Sequence, residues 1–537
     1  MPSPEDPNPL PTAEALAPAR GRFQWLRPSH AHTAFSATLL LMASSLLSGV
    51  MGLVRSKYIA YIFGAGRLTD AYNAAFEMPD MISYFLVGGV ASIALITMLS
   101  RYREAGDEEG ADRALSIVLN AMLVVLGTAI LLGEFLAPVY TRYKFPGFDA
   151  GQAALTTSLT RLLLPAPLFF FAGGVFASKL LVRKIFLYQA FTPLIYNLGI
   201  ILGGVFLHRR FGIYSLAIGV LGGVAFGPFA LNFVGARRLG FRYRPILDLR
   251  HPAFREWLHL SVPLMVGFSL VTADKWILSF FASHSTGGIS HLNYAKTLFA
   301  APLGMLGQAA GAASLPFFAA LFSQNRPLDF AAAVNRSVTR IIAVSLLVGA
   351  WMMALALPLV DLLFRGGHFN LIDAADTAHY FVILAVSLAL WAAQSIYARA
   401  FYAAGNTMTP AVAGTVITLV SIPVYRALFH GMGIAGLAAA SDVGILAHTL
   451  TLAFLLHRNR LVRVSGLEGG ELARSLLAAC GGFAGAYACV RYIPVPHGHL
   501  GDLATIAVAT VAWAVPVWTL LRLTGSTLPQ QLRSRRA

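Results

Sequence analysis

Three basic residues, Arg55, Lys275 and Lys296, lie inside stretches of sequence that are otherwise apolar. An isolated cation that faces lipid is costly, so each of them is expected to face a partner or a hydrated cavity. Lysine binds phosphate as a point charge, and the arginine guanidinium can donate two parallel hydrogen bonds to phosphate oxygens. Two interpretations stay open: a cationic cavity for an anionic headgroup, or local ion pairs such as Asp274 with Lys275 or Lys296.

Asp274 adds a second kind of chemistry to this set. A carboxylate at membrane depth can couple transport to an ion gradient, so Asp274 is a candidate site for H⁺ or Na⁺, with no other cofactor expected.

The sequence contains neither a GxxxxGK[ST] phosphate loop nor an HExxH motif. Cys480 and Cys489 are nine positions apart, on opposite faces of one helix, and the fourteen histidines are scattered. We therefore predict neither catalytic residues nor a metal site.

The composition indicates which elements must position these residues. Of the 537 residues, 57% are hydrophobic and 12% are charged, whereas a soluble domain carries roughly 25% charged residues. The mean hydropathy is +0.67. These figures exclude a soluble enzyme, a disordered chain and a disulfide scaffold, and they are typical of a polytopic membrane protein.

Fourteen apolar stretches are long enough to cross a bilayer core, which takes about 20 residues per helix. They are residues 34–62, 78–100, 114–140, 154–181, 187–208, 211–235, 256–283, 294–322, 338–364, 377–403, 409–429, 433–457, 471–493 and 501–523. Strand-like alternation is absent. The fold class is therefore predicted as all-α, with about 14 transmembrane helices.

The distribution of basic residues predicts the orientation of these helices. An even number of spans places both termini on one side, and cytoplasmic loops carry an excess of lysine and arginine. The terminal segments and the loops on that side hold 27 of the 40 basic residues, and the opposite loops hold nine. Both termini are therefore predicted in the cytoplasm. Most of the formal net charge of +16 is explained by topology and needs no anionic substrate.

The polar segments predict the division of the chain. Residues 1–33 are rich in proline and alanine and are predicted as a disordered cytoplasmic tail. Residues 236–255 form a basic cytoplasmic linker that separates six helices from eight. A separate catalytic or ATP-binding domain has no long soluble insertion to occupy, so the chain is predicted not to be an enzyme.

Four segments, read together, resemble a known family. They are SGVMGLVRSKYIAYIFGAGRLTDAYNAAFEMPD at 48–80, FLYQAFTPLIYNLGIILG at 186–203, LLFRGGHFNLIDAADTAHYF at 362–381, and YARAFYAAGNTMTP at 397–410. They are similar to the MurJ (MviN) family of lipid II flippases, within the multidrug/oligosaccharidyl-lipid/polysaccharide exporter superfamily. The similarity runs in the same order from about residue 34 to 460.

The resemblance implies an architecture and an activity. Residues 34–235 and 256–457 would form two pseudo-symmetric six-helix lobes around a cavity, residues 471–523 a helix pair with a lipid groove, and residues 524–537 a cytoplasmic tail. The family moves the undecaprenyl-pyrophosphate-linked peptidoglycan precursor, lipid II, from the inner to the outer leaflet of the bacterial plasma (inner) membrane by alternating access. The implied partners are this lipid-linked glycan, membrane lipids and the cell-wall synthesis machinery, with no nucleic acid.

The resemblance also assigns residues to the site. Arg55 and Ser48 match residues of the family's first helix, Asp70 matches the acidic residue after FGAG, and Asp274 matches an aspartate that binds sodium in some members. The predicted substrate-binding residues are Arg55, Ser48, Asp70, Lys275, Lys296 and Thr297. The family's other cationic and acidic positions carry different residues here: Gly49, Ser83, Tyr84, Gly88, Lys296, Thr297 and Ala300. Two sodium-binding partners of the family fall on Ser421 and Tyr425.

These departures leave alternative functions open. The chain could flip another polyprenyl-pyrophosphate oligosaccharide, or it could be a transport-deficient membrane scaffold of cell-wall assembly. An exporter of small cationic drugs would favour acidic residues in its cavity, and Arg55 and Lys296 argue against it. A membrane glycosyltransferase would need acidic residues in a sizeable outer loop, and the predicted outer loops are short.

Overall fold

The computed structural model describes residues 34–265, 270–493 and 498–529. The predicted tail at 1–33 and the last eight residues of the predicted tail at 524–537 lie outside the described residues. The helices are α1 (Ala34–Phe63), α2 (Arg67–Ala75), α3 (Glu77–Ile82), α4 (Gly88–Glu104), α5 (Glu108–Lys144), α6 (Ala150–Leu163), α7 (Ala166–Val182), α8 (Leu187–Phe211), α9 (Tyr214–Val224), α10 (Asn232–Arg238), α11 (Pro252–Met265), α12 (Leu270–Ala282), α13 (Gly288–Ser323), α14 (Pro327–Ala354), α15 (Ala356–Phe364), α16 (Leu371–Val386), α17 (Leu388–Ala403), α18 (Met408–Arg458), α19 (Gly469–Tyr492) and α20 (His499–Leu523). Within the described ranges, β structure is limited to one isolated bridge, so the predicted all-α fold class is confirmed.

Helices α5, α6 and α16 begin at residues whose side chains cap them. The Asp107 carboxylate accepts a hydrogen bond from the Gly110 amide at 2.7 Å at the start of α5, and Asp149 accepts one from Gln152 at 2.8 Å at the start of α6. Asn370 begins α16 with a complete capping box. Such caps satisfy amide groups that have no partner inside the helix.

The number of membrane crossings is only partly determined by helix length. In the part of the chain that the structure describes, nine helices are long and apolar enough to cross a membrane, and a tenth is counted if α16 and α17, bent by 43°, form one span. The longest, α18, has 51 residues and would extend about 76 Å, more than twice a ~30 Å bilayer core. It is broken at Gly433, whose φ of 59° and ψ of −136° are not helical. The count of fourteen stays a prediction.

The first eleven helices pack together as an N-terminal bundle. Its centre is formed by apolar side chains of α4, α5, α7 and α11, including the fully buried Trp257. Helices α8 and α9 approach closely through glycines, because a Cβ on Gly199 or Gly203 would overlap Gly223 or Gly219. These small residues therefore let the backbones of the two helices pack directly against each other.

Helices α12 to α18 form a C-terminal bundle, and the last two helices pack beside it. Trp351 of α14 donates a hydrogen bond to the Thr510 hydroxyl of α20 at 3.0 Å, and Trp513 of α20 donates one to the Leu347 carbonyl at 3.1 Å. The helix pair α19–α20 is therefore attached to the C-terminal bundle through α14.

The seventh predicted span is divided between the two bundles. Helix α11 packs against α4 and α5, whereas α12 packs against α18. An ion pair between Arg101 of α4 and Glu256 of α11 adds to the first contact. The predicted lobe bounds stay a prediction, and the packing places the first half of this span with the N-terminal bundle.

Candidate functional site

A polar cavity of about 370 Å³ lies between the two bundles. Helices α1, α2, α3 and α8 line it from the N-terminal bundle, and α12 and α13 line it from the C-terminal bundle. The residues that line it and carry charge are Arg55, Glu77, Asp80, Lys275 and Lys296. The three cations singled out by the sequence therefore meet in one cavity, together with two carboxylates.

Arg55 reaches the cavity from α1 and is held by an amide. Its Nη1 donates a hydrogen bond to Oδ1 of Asn197 at 2.9 Å, and Nδ2 of Asn197 donates one to the Ser48 hydroxyl at 3.2 Å. Ser48 thus positions Arg55 through Asn197 and does not itself line the cavity. Among the described ion pairs Arg55 has no carboxylate, so its charge is available to an anion.

Lys275 connects the two bundles. Its ammonium lies 2.7 Å from Oδ2 of Asp80 on α3, and the two side chains are 50% and 43% exposed. An ion pair this exposed contributes only about 0–1 kcal/mol. An anion that entered the cavity could therefore displace Asp80 from Lys275 at little cost.

Lys296 is paired within its own bundle. Its ammonium binds Oδ2 of Asp274, and the Tyr425 hydroxyl donates a hydrogen bond to the other carboxylate oxygen. Asp274 is buried and does not line the cavity, whereas Lys296 does. Ser421 instead bonds the Thr418 carbonyl, at 2.8 Å. The ion pair between Asp274 and Lys296 is thus formed, whereas Lys275 pairs with Asp80 instead of Asp274. The interpretation as a cavity for an anionic headgroup stays a prediction.

Replacing Lys296 with methionine should destabilise the protein, because it leaves the Asp274 carboxylate buried without its cation. Removing one partner of a buried ion pair costs roughly 3 kcal/mol, and thermal unfolding in detergent should show a lower midpoint. The double variant K296M/D274N should recover most of the loss. Lys275→Met is the matched control and should change the midpoint little; an equal loss in both single variants would contradict this account.

Asp70 does not line the cavity, although it belongs to the predicted substrate-binding set. Its carboxylate is fully buried and accepts hydrogen bonds from the Gly287 amide at 2.6 Å, the Ser290 amide at 2.8 Å and the Ser290 hydroxyl at 2.6 Å. These groups belong to the first turn of α13, whose amide groups favour an anion. Asp70 of α2 therefore caps a helix of the other bundle.

Around Asp70 the two bundles are in backbone contact, in what we call the interbundle seal, formed by Gly64, Asp70, Gly147, Gly287 and Gly367 with their partners. The His368 amide donates to the Tyr61 carbonyl at 2.9 Å. A Cβ on Gly64 would lie 2.7 Å from the His368 carbonyl oxygen, and one on Gly367 would overlap the Tyr61 carbonyl. Tyr72 of α2 and Ile289 of α13 line the cavity, so the seal lies next to it.

Gly147→Ala should prevent full closure of the interbundle seal. The added methyl would overlap the Ser283 carbonyl and the Cα of His284 in the other bundle, and overpacking of this kind costs typically 1–3 kcal/mol. We expect a cysteine placed in the cavity to react faster with an impermeant thiol reagent. Gly66→Ala is the control, since a Cβ there would meet nothing within 4 Å. Equal reaction rates in the two variants would count against a close contact at Gly147.

Thr297 lines the cavity, and its hydroxyl donates to the Asn293 carbonyl one turn earlier at 2.8 Å. Tyr84, at a position where the resembled pattern has an arginine, instead packs its ring edge-on to Trp276 with centroids 5.8 Å apart. Lys57 lies outside the cavity lining and donates to the Leu362 carbonyl at 2.9 Å. Tyr84 and Trp276 do not line the cavity, and its aromatic lining consists of Tyr72, Phe76, Tyr196 and Tyr294.

Two further groups of the site are not predicted from the sequence. Asn197 accepts a hydrogen bond from Arg55. The feature of the sequence that could have indicated it is an amide side chain inside an otherwise apolar stretch. Glu77 pairs with Lys144 at 3.2 Å, and Lys144 donates to the Trp276 carbonyl across the bundles. Lys144 falls between the predicted spans 114–140 and 154–181, so the sequence does not indicate a place for it in the site. In the described residues no group of three or more His, Cys, Asp or Glu side chains is arranged to hold a metal ion.

An all-helical, multi-pass membrane protein with a charged cavity between two bundles has the architecture typical of a transporter. The family model described as "Lipid II flippase MurJ" matches residues 59–507. The chain belongs to this family.

Two relatives illustrate the similarity. The lipid II flippase MurJ of Burkholderia cenocepacia is 27% identical over 443 residues, which cover 79% of this chain and 84% of the relative. The probable lipid II flippase MurJ of Rhizobium meliloti is 25% identical over 477 residues, covering 86% of this chain and 88% of the relative. The similarity therefore extends over most of both chains.

Solved structures show the same fold. A structure titled "Lipid II flippase MurJ, inward closed conformation" superposes with a TM-score of 0.75 at 21% identity, covering 90% of this chain and 99% of the other. An inward-facing multidrug resistance transporter of the MATE family and MOP superfamily superposes with a TM-score of 0.62 at 16% identity, covering 79% and 98%. The fold is shared with exporters of different substrates, so the substrate must be argued from the site.

Proposed function

We propose that the protein is a lipid II flippase, which moves the undecaprenyl-pyrophosphate-linked glycan from the inner to the outer leaflet. The observation that carries this proposal is the convergence of Arg55, Lys275 and Lys296 on one cavity between the bundles. A pyrophosphate needs cations and water, whereas the prenyl tail can remain in the bilayer. Membership of the family supplies the class of substrate.

The mechanism is alternating access around the cavity. A volume of about 370 Å³ is near the lower end of the ~300–1,000 Å³ of sites for drug-sized ligands. The disaccharide–peptide headgroup is larger than such ligands, so the bundles must separate to admit it. Arg55 binds the pyrophosphate first, and Lys275 and Lys296 then exchange Asp80 and Asp274 for phosphate oxygens. Release of Lys275 from Asp80 also removes a contact between the bundles, which links binding to their separation.

The protein acts in the bacterial inner membrane, with both termini in the cytoplasm. This orientation is supported by the excess of basic residues in the predicted cytoplasmic segments. It puts the interbundle seal on the outer side. The cavity would then load from the cytoplasmic leaflet and release the glycan after the seal opens.

An ion gradient, H⁺ or Na⁺, acts through Asp274 in this proposal, without a resident cofactor or a catalytic residue. Lys296 and Tyr425 bind the two oxygens of its carboxylate. When Lys296 moves to the substrate, the buried carboxylate must gain another cation, because an unpaired charge at that depth is costly. The partners are the lipid-linked glycan, the surrounding lipids and the cell-wall synthesis machinery.

The test is genetic complementation. A bacterial host is depleted of its own lipid II flippase while this chain is expressed, and restored growth is the expected result. Failure to restore growth despite good membrane expression would overturn the proposal and favour a flippase for another polyprenyl-pyrophosphate glycan or a scaffold without transport. Lys296→Ala, expressed to the same level, removes one of the three cavity cations and should weaken the rescue.

A further inference from the structure

The segment between α10 and α11 runs as an extended strap, residues 241–250, along the start of α5. The Arg242 amide donates to Asp112 at 3.0 Å, and the Arg244 amide donates to the Ser116 hydroxyl at 3.1 Å. The side-chain amide of Asn120 donates to the Arg244 carbonyl at 3.0 Å. These polar side chains of α5 recur every four residues, so they lie on one helix face.

Further contacts fix the strap to α5. Asn120 also donates to the Ile246 carbonyl at 2.9 Å and accepts from the Tyr243 hydroxyl at 2.7 Å, and Arg244 pairs with Glu109. Backbone groups of the strap are thus bonded to the helix instead of to water. Such bonding is needed wherever an extended segment enters a medium poor in water.

The strap also carries exposed apolar side chains. Leu247 is 57% exposed and Leu249 is 55% exposed, and the chain turns beside them, where the His251 amide donates to the Asp248 carbonyl at 3.3 Å. The Tyr243 ring is 46% exposed although its hydroxyl bonds α5. The exposed Arg242 and Arg250 flank these side chains. The exposed surface of the strap therefore combines two leucines, an aromatic ring and two arginines.

The residues of α5 that the strap contacts indicate the depth of the strap relative to the membrane. From Asp112 to Asn120 the helix rises about 12 Å. This stretch begins beside the charged residues Glu108, Glu109 and Arg113, and it continues into the apolar run that starts at Ala114. The strap therefore lies along the transition from charged to apolar residues, where a bilayer has its headgroups.

We propose that the strap is a membrane anchor that binds anionic phospholipid: Leu247 and Leu249 enter the boundary between headgroups and acyl chains, and Arg242 and Arg250 bind lipid phosphates. An apolar side next to cationic side chains is the pattern of segments that lie in the interface of an anionic bilayer. The anchor would keep α5 and α11 at a constant depth. It stands independently of the substrate that the cavity carries.

The experiment places a fluorophore on the strap. Leu247→Cys is labelled in a Cys480→Ser chain, since Cys489 is buried, and the full-length protein is reconstituted in nanodiscs of phosphatidylcholine with phosphatidylglycerol. Spin-labelled lipids should quench this probe severalfold more than a probe at Ala105→Cys, which lies in an exposed acidic loop of the same predicted face. Iodide in the water should show the reverse order.

A second variant tests the charges. Removing the arginines with R242Q/R250Q should abolish the extra lipid quenching that phosphatidylglycerol gives over phosphatidylcholine alone, while leaving the apolar insertion. Both sites are exposed, so folding is expected to be preserved. Equal exposure of the Leu247 and Ala105 probes to iodide would overturn the proposal, and would instead assign the surface to a soluble protein partner.

Discussion

Arg55→Ala should abolish the growth rescue that the chain gives in a host depleted of its own lipid II flippase. Arg55 is the cavity cation whose charge is not paired with a described carboxylate, and Asn197 holds it in place at 2.9 Å. In the proposed mechanism, loss of this side chain removes the first contact with the pyrophosphate. Arg55→Lys keeps the charge but loses the two parallel donors, so we expect a partial rescue.

Arg210→Ala is the matched control for this experiment. Arg210 is an exposed residue at the end of α8 and does not line the cavity, so its loss should leave growth unchanged. All variants are compared at equal amounts in the membrane. Full growth with Arg55→Ala would remove Arg55 from the site and with it the main support for an anionic substrate.

Asp70→Ala should open the interbundle seal. The substitution leaves three donors at the start of α13 without an acceptor. Hydrogen bonds to a charged group contribute roughly 1.5–3 kcal/mol each, and a loss of about 3 kcal/mol shifts the equilibrium between closed and open forms about 100-fold. A Thr297→Cys reporter in the cavity should then react with an impermeant thiol reagent added from the outer side, in a chain that also carries Cys480→Ser.

Asp149→Ala supplies the control for the seal. Asp149 also caps a helix, but the helix is α6 of its own bundle, and its ion pair with Arg67 stays within that bundle. We expect this variant to leave the reporter slow to react. A reporter that stays protected in Asp70→Ala would show that the carboxylate does not hold the two bundles together.

The local features of this fold could be predicted from the sequence. Long apolar runs specify helices whatever they pack against, and the described helices, with π-helical segments at Ser83–Val87 and Ala225–Leu231, cover most of the predicted stretches. Arg55, Lys275 and Lys296 could be identified as candidate site residues, because an unpaired cation at membrane depth is costly. Their common cavity follows from the same cost, because a polar cavity is the place where such residues can be hydrated.

The partners of these residues could not be predicted from the sequence. Asp70 and Gly287 are 217 positions apart, and Arg55 and Asn197 are 142 positions apart. Contacts between residues so far apart in the sequence leave no periodic pattern in it, because each contact depends on how whole helices pack against each other. The sequence placed Asp70 in the binding site because it follows the FGAG segment, and the structure instead bonds it to the first turn of α13.

The choice between the ion pairs also depended on tertiary structure. Asp274 and Lys275 are neighbours in sequence, but adjacent residues on a helix point about 100° apart. Asp274 therefore faces Lys296 inside its bundle, while Lys275 faces Asp80 in the other bundle. In the proposed mechanism, this divergence makes Lys275 the cation that connects substrate binding to the contact between the bundles.

Transport by the purified protein is the most direct test of the proposed activity. The chain is reconstituted into liposomes with fluorescently labelled lipid II and an imposed membrane potential, and a membrane-impermeant reductant bleaches only the outer leaflet. Lipid that is initially protected in the inner leaflet should become bleached, and Arg55→Ala should abolish this second phase. A protected fraction that stays the same with and without the protein would contradict the proposal that this chain moves lipid II.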